Sequence, residues 1–356
     1  MGIELLDKLN GRTIEASAPC RLDMGGTLDL STFYLALQPH KPSTFNLALD
    51  MRTHVVIKPG PAGVTQIQSK GFEPAIFPLS QAPFNHPLGL MFAIANYYNA
   101  DGVAISIASQ SPPRSALGGS SSAAIALIAA FQAALSNQVS QFKLVKSSIA
   151  LAFALEASVA GVPCGLQDHL AAAHGGVHAW YWGADSGNPT DYKGVNLIQP
   201  DDFSTLESHV LIAYCGKPHA SKDVNNRWVK QFIAGSHRRG WIEICSLTRK
   251  FIDAISEFNY KDAADCMNRE VAIRRRMTPD VFDEIGEQLR TAAQENECGV
   301  RFTGAGGGGC VWALGELEDI DRVRGMWENI VRQRSDATLL DARIDNQGVF
   351  VSTNNS

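Results

Sequence analysis

One segment constrains this chain more than any other: Ser120–Leu135, SSSAAIALIAAFQAAL. It reads as an Ala-rich helix that is apolar on nearly every face. Such a helix has no polar stripe to offer water, so it must be buried. A chain of 356 residues has room for that. At this size folding buries roughly 75% of the surface the unfolded chain exposes, and no disulfide or metal staple is needed. The longest apolar run, Ala123–Leu135, contains Gln132 and falls short of the ~20 residues a membrane span takes.

On either side the pattern is mixed. Thr53–Lys58 (THVVIK) and Val103–Ala108 (VAISIA) read as short strands bounded by Gly, Pro or Asp. Pro87–Tyr98 reads as a helix opened by Pro, and Lys146–Val159 as another helix. Trp180–Asn196 is turn-rich, and Val210–Tyr214 starts a new strand. Long, charged, amphipathic helices follow at Trp228–Gly235, Arg239–Glu257, Tyr260–Arg276 and Pro279–Glu297, then a Gly-rich run and a strand at Val311–Leu314. Strands with segregated helices, and no regular βαβα alternation, point to the α+β class. The polar stretch QPDDFSTLES places a boundary near 200–208, dividing residues 1–204 from 205–356.

Charge and cysteine usage exclude several functions. The net charge of −5 carries no basic bias, which argues against broad binding to nucleic acid or an anionic membrane. Seven Cys at 20, 164, 215, 245, 266, 298 and 310 form no C-x-x-C pair, a pattern of reduced thiols rather than a disulfide framework. The opening MGIELLDKLN has no basic n-region, and Gly2 lacks the Ser or Thr at position 6 that myristoylation needs. A cytoplasmic protein is expected.

Chemistry gathers at three glycine-rich segments and one acidic pair. Ser111–Ala124, SPPRSALGGSSSAA, runs straight into the buried helix. A helix N-terminus presents unpaired N–H donors and about half a positive charge, which favours phosphate. Ser120 or Ser121 could also offer a hydroxyl to Mg²⁺. Read alone, the segment serves equally as a tight turn with serine caps, and it matches neither G-x-x-x-x-G-K-[ST] nor G-x-G-x-x-G. Phe302–Leu314, FTGAGGGGCVWAL, has Gly at five of the six positions 304–309. Such a run costs conformational entropy and needs a reason, either positive φ or the close approach of another backbone. Ala18–Asp29, APCRLDMGGTLD, sets Arg21 ahead of a Gly25–Gly26 turn that presents Thr27 and Asp29. Alone it is a turn after an edge strand. Glu156 and Asp168 lie among small apolar residues, where an unpaired carboxylate is expensive to bury. Glu156 sits late in its helix, and an N-cap role would serve Asp168 as well as a catalytic one.

In this order and spacing the segments resemble the GHMP kinase superfamily over nearly the whole chain. APCRLDMGGTLD is similar to its first motif, SPPRSALGGSSSAA to its phosphate loop and FTGAGGGGC to its C-terminal glycine motif. GLQDHLAAAHGG resembles the G-x-Q-D-Q-x-A-A-x-x-G-G stretch of the sugar and heptose-phosphate kinase branch, and YCGKPHASKDVNNRWVKQFI that branch's second-domain opening. The resemblance implies an N-terminal domain like the second domain of ribosomal protein S5 and a ferredoxin-like C-terminal domain. It implies ATP and Mg²⁺ as cofactors. Leu117, Gly118, Gly119, Ser120, Ser121 and Ser122 would cradle the phosphates, with Gly304, Gly306 and Gly307 packed beside them. Ser120 or Ser121 and Glu156 would hold Mg²⁺. Asp168 would take the proton of the acceptor hydroxyl, with Arg21 neutralising charge on the transferring phosphoryl group. Asp29, Thr27, His169 and Thr303 would face the substrate.

The implied activity is ATP-dependent phosphorylation of a small molecule, a sugar or sugar phosphate, with D-glycero-D-manno-heptose 7-phosphate the nearest substrate by resemblance. The protein would act as a monomer or homodimer. The rivals are a kinase of an amino-acid or isoprenoid alcohol (homoserine, threonine, mevalonate), a diphosphomevalonate decarboxylase and a non-catalytic nucleotide-binding relative. Several residues depart from the family pattern. Arg114, Ala116 and Gly119 stand where Gly, Gly and Ser are usual, the first motif lacks the Glu-His pair of galactokinases, and His169 replaces the second Gln of Q-D-Q. His169, His174 and His178 are not spaced to share one helix face. Arg274–Arg276 reads as a solvated helix face, and Trp180 and Trp182 alternate with Tyr181 as core-facing strand residues do.

Overall fold

The computed structural model describes residues 2–9, 12–136, 140–161, 163–183, 191–218 and 221–355. A short helix, α1 (Gly2–Leu9), leads into β1 (Arg12–Met24). Where the sequence suggests an edge strand, β1 is central, hydrogen-bonded on one side to β2 (Ser43–Pro59) and on the other to the last strand of the chain, β12 (Phe350–Asn355). Nothing local to β1 could reveal a partner more than 300 residues away. The β1–β2 register shifts between Pro19 and Cys20, as it must where a residue without an N–H enters a ladder.

α2 (Ser31–Leu37) joins β1 to β2, which is long enough to carry two neighbours end to end. Its first half pairs with β6 (Val177–Trp182) and its second with β5 (Val103–Ser109). Only Thr53–Lys58 of this strand is legible as strand in the sequence. β3 (Thr65–Ser69) runs parallel to β5, β4 (Ala75–Phe77) closes that edge, and β7 (Tyr192–Asn196) pairs with β6. Part of the turn-rich stretch expected at 180–196, residues 184–190, lies outside the described residues.

Against this eight-stranded sheet lies α4 (Gly119–Leu135), flanked by α3 (Gly89–Tyr97), α5 (Gln141–Val159) and α6 (Gln167–His174). Every residue from Ala124 to Phe131 is fully buried, the outcome its unbroken apolarity demands. Trp180 and Trp182 face the core at 2% and 4% exposure, with Tyr181 between them half-buried.

After α7 (Phe203–Ser208) a second sheet begins at β8 (Val210–Tyr214). Four helices follow, α8 (Ser221–Ile233), α9 (Arg238–Ser256), α10 (Tyr260–Met277) and α11 (Glu284–Gln294), then β9 (Gly299–Phe302), β10 (Cys310–Leu314), α12 (Leu317–Val331) and β11 (Thr338–Leu340). The order β11-β8-β10-β9, antiparallel throughout, is the split βαβ arrangement of ferredoxin-like folds. The fold is α+β. Residues 341–355 then leave this sheet, and β12 pairs with β1 in the first, so the span 205–356 ends inside the other half of the molecule. No helix among the described residues is long and apolar enough to cross a membrane.

Candidate active site

Arg21 and Asp23, two apart on β1, point to the same face and open a chain of charges. Arg21 is 4% exposed. Its Nε donates to Asp168 Oδ1 at 2.8 Å and its Nη1 to the Ala116 carbonyl at 2.6 Å. Burial works against the guanidinium's charge, but Asp168 and Asp23 outweigh it and push its pKa up. Asp168 is not the N-cap of α6. That position is Leu166, which makes no side-chain cap bond. Asp168 lies in the first turn and meets Arg21 instead.

The loop ahead of α4 closes over this pair. Arg21 donates its backbone N–H to the Leu117 carbonyl at 2.9 Å. A Cβ built on Gly118 would meet Arg21 Cγ at 3.5 Å and Asp168 Oδ2 at 3.6 Å, so the loop backbone runs within contact of the ion pair. Gly118 has φ 79° and α4 opens with no side-chain cap bond. The serines therefore do not cap the helix, whose first N–H groups are the kind of donors that suit an anion. Arg114 and Ala116 hold φ of 54° and 63°, the left-handed region that glycine occupies freely.

The glycine run meets both of its physical reasons. Gly304, Gly306, Gly307, Gly308 and Gly309 all have positive φ, and a Cβ on Gly309 would fall 2.6 Å from the Ser115 carbonyl. Cys310 N–H donates to Ser115 O at 2.9 Å. The N–H groups of Gly304, Gly306 and Gly307 are already spent on Asp23 Oδ1, the Thr303 carbonyl and the Val281 carbonyl. Gly304 and Gly309 pack against Ala116 and Ser115 of the loop ahead of α4, while Gly306 and Gly307 pack against Val281 and Val224. The N–H groups of Gly304, Gly306 and Gly307 are thus not free donors.

Glu156 reaches the same helix end from α5. Its Oε2 lies 3.2 Å from Ser121 Oγ and 2.8 Å from His169 Nε2. Burial pushes the Glu156 carboxyl up, but the bond and charge of His169 and the Ser121 hydroxyl bring it below the ordinary range. Burial likewise opposes a charged His169, and Glu156 overcomes it to raise the imidazole. The pair is ionic. Among the described residues no group of three or more His, Cys, Asp or Glu could hold a metal by itself. A carboxylate and a hydroxyl in contact are hard oxygen donors, the small set that Mg²⁺ uses when phosphates complete its shell.

Two family models match, GHMP kinases N terminal domain over residues 85–176 and GHMP kinases C terminal over residues 251–332. The first covers the phosphate loop, Glu156 and Asp168, and the second covers α10 and α12. The chain belongs to the GHMP kinases. Members of this family are ATP-dependent kinases that phosphorylate hydroxyl groups, and this kinase is of the sugar or mevalonate type. A mevalonate kinase from Thermococcus onnurineus is 24% identical over 332 residues, covering 84% of this chain and 88% of the relative. The D-glycero-D-manno-heptose 1-phosphate kinase of Bacteriodes thetaiotaomicron superposes with a TM-score of 0.70 at 16% identity, over 95% of this chain and 98% of that one. Lactococcus lactis galactokinase, complexed with galactose, gives 0.71 at 17% identity over 95% of each chain.

The other expected residues of the kinase separate by environment. Asp29 is 5% exposed, and its Oδ2 accepts the Gln167 N–H at 3.1 Å. Thr27 is buried with φ 81°. His169 is fully buried on Glu156 with Phe153 against its ring, so it serves the acid and offers a substrate no surface. Thr303 is also fully buried, its Oγ1 within 3.3 Å of Ser115 O and 3.1 Å of Cys310 O; it ties two loops together. Ser122 donates to Pro19 O at 2.7 Å, leaving its hydroxyl no phosphate role. Ser121 is buried on Glu156, while Ser120 is exposed. Sequence reading missed Asp23, Glu270, Arg274 and Arg301, all buried. Only Asp23 carried a local signal, its place two residues from Arg21.

Proposed function

We propose that this kinase phosphorylates a hydroxyl of a sugar or sugar phosphate, with a heptose 7-phosphate the nearest candidate. The observation that carries the reading is the pairing of Asp168 with Arg21 directly beneath Gly118, with Asp29 joined to the same helix start through Gln167. Two carboxylates on the acceptor side suit the hydroxyls of a polyol, which donate to them, better than the carboxylate of mevalonate or of an amino acid. Asp168 accepts the acceptor's proton as the oxygen attacks. Arg21 orients Asp168 and offsets charge on the phosphoryl group in flight. The open N–H groups of Gly119–Ser121 hold the phosphates. Most of the acceleration in such a site comes from positioning and electrostatics, the base adding about 10²–10⁴-fold.

Glu156 and Ser121 would hold Mg²⁺, whose charge helps bind and neutralise the nucleotide's phosphates when present. His169 keeps the Glu156 carboxylate charged and aimed for that duty.

The mevalonate kinase relative supports a second acceptor class. ADP release with Mg-ATP across sugars, heptose phosphates, homoserine, threonine and mevalonate separates the two. We expect turnover on a sugar or sugar phosphate, and loss of at least ~10²-fold in Asp168→Asn. Turnover on mevalonate alone overturns the sugar reading, and CO₂ release from diphosphomevalonate, added as a further compound, identifies a decarboxylase.

A further inference from the structure

Arg274 is a fully buried cation that phosphoryl transfer does not use. It lies in the last turn of α10, in the other half of the molecule from the first motif. Its guanidinium stands 4.6 Å from the ring centroids of both Trp228 and Trp241. Its Nε donates to Glu270 Oε1 at 2.8 Å, its Nη2 to the Gly26 carbonyl at 2.6 Å and its Nη1 to Thr27 Oγ1 at 3.3 Å. Every nitrogen of the fork has a partner, and two of the three partners belong to the turn between β1 and α2.

That turn needs holding. Thr27 is β-branched and sits at φ 81°, a conformation that persists only where the surroundings over-determine it. The turn is also tightly enclosed. A Cβ on Gly26 would fall 2.5 Å from Asp23 Oδ2 and 2.9 Å from Gln167 Nε2. Leu30 N–H closes back on the Thr27 carbonyl at 3.0 Å, so the setting of Thr27 fixes where Asp29 emerges. Glu270 passes the same restraint to the base. Its second oxygen accepts from Arg301 Nε at 3.2 Å, Arg301 Nη1 donates to Asp23 Oδ2 at 2.9 Å, and Asp23 lies 3.6 Å from Arg21.

We propose that Arg274 is a positioning residue for the acceptor. It clamps the Gly26–Thr27 turn from the second half of the molecule and so sets acceptor affinity without touching the reacting atoms. This rests on reading the pocket beside Asp29 and Asp168 as the acceptor site. The clamp itself is testable without that reading, because it acts on the ligand-free protein.

The test combines backbone hydrogen exchange over residues 22–30 in the unliganded full chain with KM and kcat on whichever compound turns over. In Arg274→Met, exchange over 22–30 rises about 10-fold or more, and acceptor KM rises about 10-fold while the KM for ATP stays within about 2-fold, the scale of one charge-assisted bond out of the two the turn loses. Thr27→Val, which removes the accepting oxygen and keeps the shape, shows the same pattern more weakly. Thr27→Ser, which keeps the oxygen, restores parental values. If Arg274→Met does not fold, the Thr27 pair carries the test. Unchanged exchange over 22–30, equal rises in both KM values, or a serine variant as impaired as the valine one overturns the proposal. Local loosening in Arg274→Met and Thr27→Val with no turnover on any compound supports the clamp and rejects the acceptor assignment.

Discussion

Asp29 is the residue where burial and function pull apart most plainly. Desolvation pushes its carboxyl up to about 6 from 3.8, with Asp168 and Asp23 adding to the rise and the Gln167 N–H opposing it. Between those two values the folded protein binds more protons than the unfolded one. Stability therefore falls as pH rises from about 4 through about 6, and the loss is fully present above that. Asp29→Asn keeps an oxygen for the Gln167 N–H and removes the titration. Each pKa unit corresponds to about 1.4 kcal/mol, so the variant should be more stable than the parent by about 2–3 kcal/mol near pH 7.5 and by almost nothing near pH 4. Urea unfolding at the two pH values checks this, and an equal gain at both would remove the buried charge as the cause. The same neighbourhood holds Thr27, Arg114 and Ala116 at positive φ. Strain and buried charge collect where the chemistry is and are borne by the rest of the fold.

At the scale of elements, the strap after β11 shows how distant sequence shapes the first sheet. Arg52 on β2 pairs with Asp345 and donates to the Ser17 carbonyl at 2.9 Å and the Gly348 carbonyl at 2.6 Å. It fastens 345–348 across β1 just before β12 joins the edge. Both side chains are largely buried, at 12% and 6% exposure, so Arg52→Met leaves Asp345 without its cation and should cost about 3 kcal/mol. A urea midpoint shift well below that would mean the strap is held by β12 pairing alone. No local pattern announces this arrangement, which is why the sequence reading left β12 unseen and made β1 an edge. Elements whose patterns are self-contained were legible: α4 by its apolarity, β5 by its short β-rich run with turn residues at its bounds, α9 and α10 by their amphipathic spacing. The site divided the same way. The loops showed as runs of small residues, since close backbone approach restricts composition directly. Arg274 was hidden inside IRRRM, because a buried arginine and a solvated one are the same letter until Trp228, Trp241 and Glu270 arrive from elsewhere.

The whole molecule is joined by two kinds of contact, and their balance decides how it unfolds. One is the charged line Arg274–Glu270–Arg301–Asp23–Arg21–Asp168, in which three cations meet three anions. The other is aromatic. Phe33 of α2 packs at 4.6 Å on Phe232 and 4.4 Å on Trp241, and Phe45 of β2 at 5.1 Å on Phe251. Buried ion pairs offset a desolvation cost that often equals their attraction, so they are poor adhesives. Buried rings carry no such cost and dominate the contacts they enter. The aromatic seam should therefore keep the two halves cooperative even when the charged line is cut. Arg301→Met leaves Asp23 with Arg21 and Glu270 with Arg274, but the line, in which Asp23 and Glu270 are fully buried, is then one cation short of its three anions. The change is expected to lower stability by about 3–5 kcal/mol. Far-UV circular dichroism and tryptophan fluorescence should still trace one coincident transition, as in the parent. Four of the six tryptophans, Trp228, Trp241, Trp312 and Trp327, lie in the second half, so fluorescence would separate from circular dichroism if that half came apart on its own. Separation would show that the ion pairs, not the rings, make the two sheets a single folding unit.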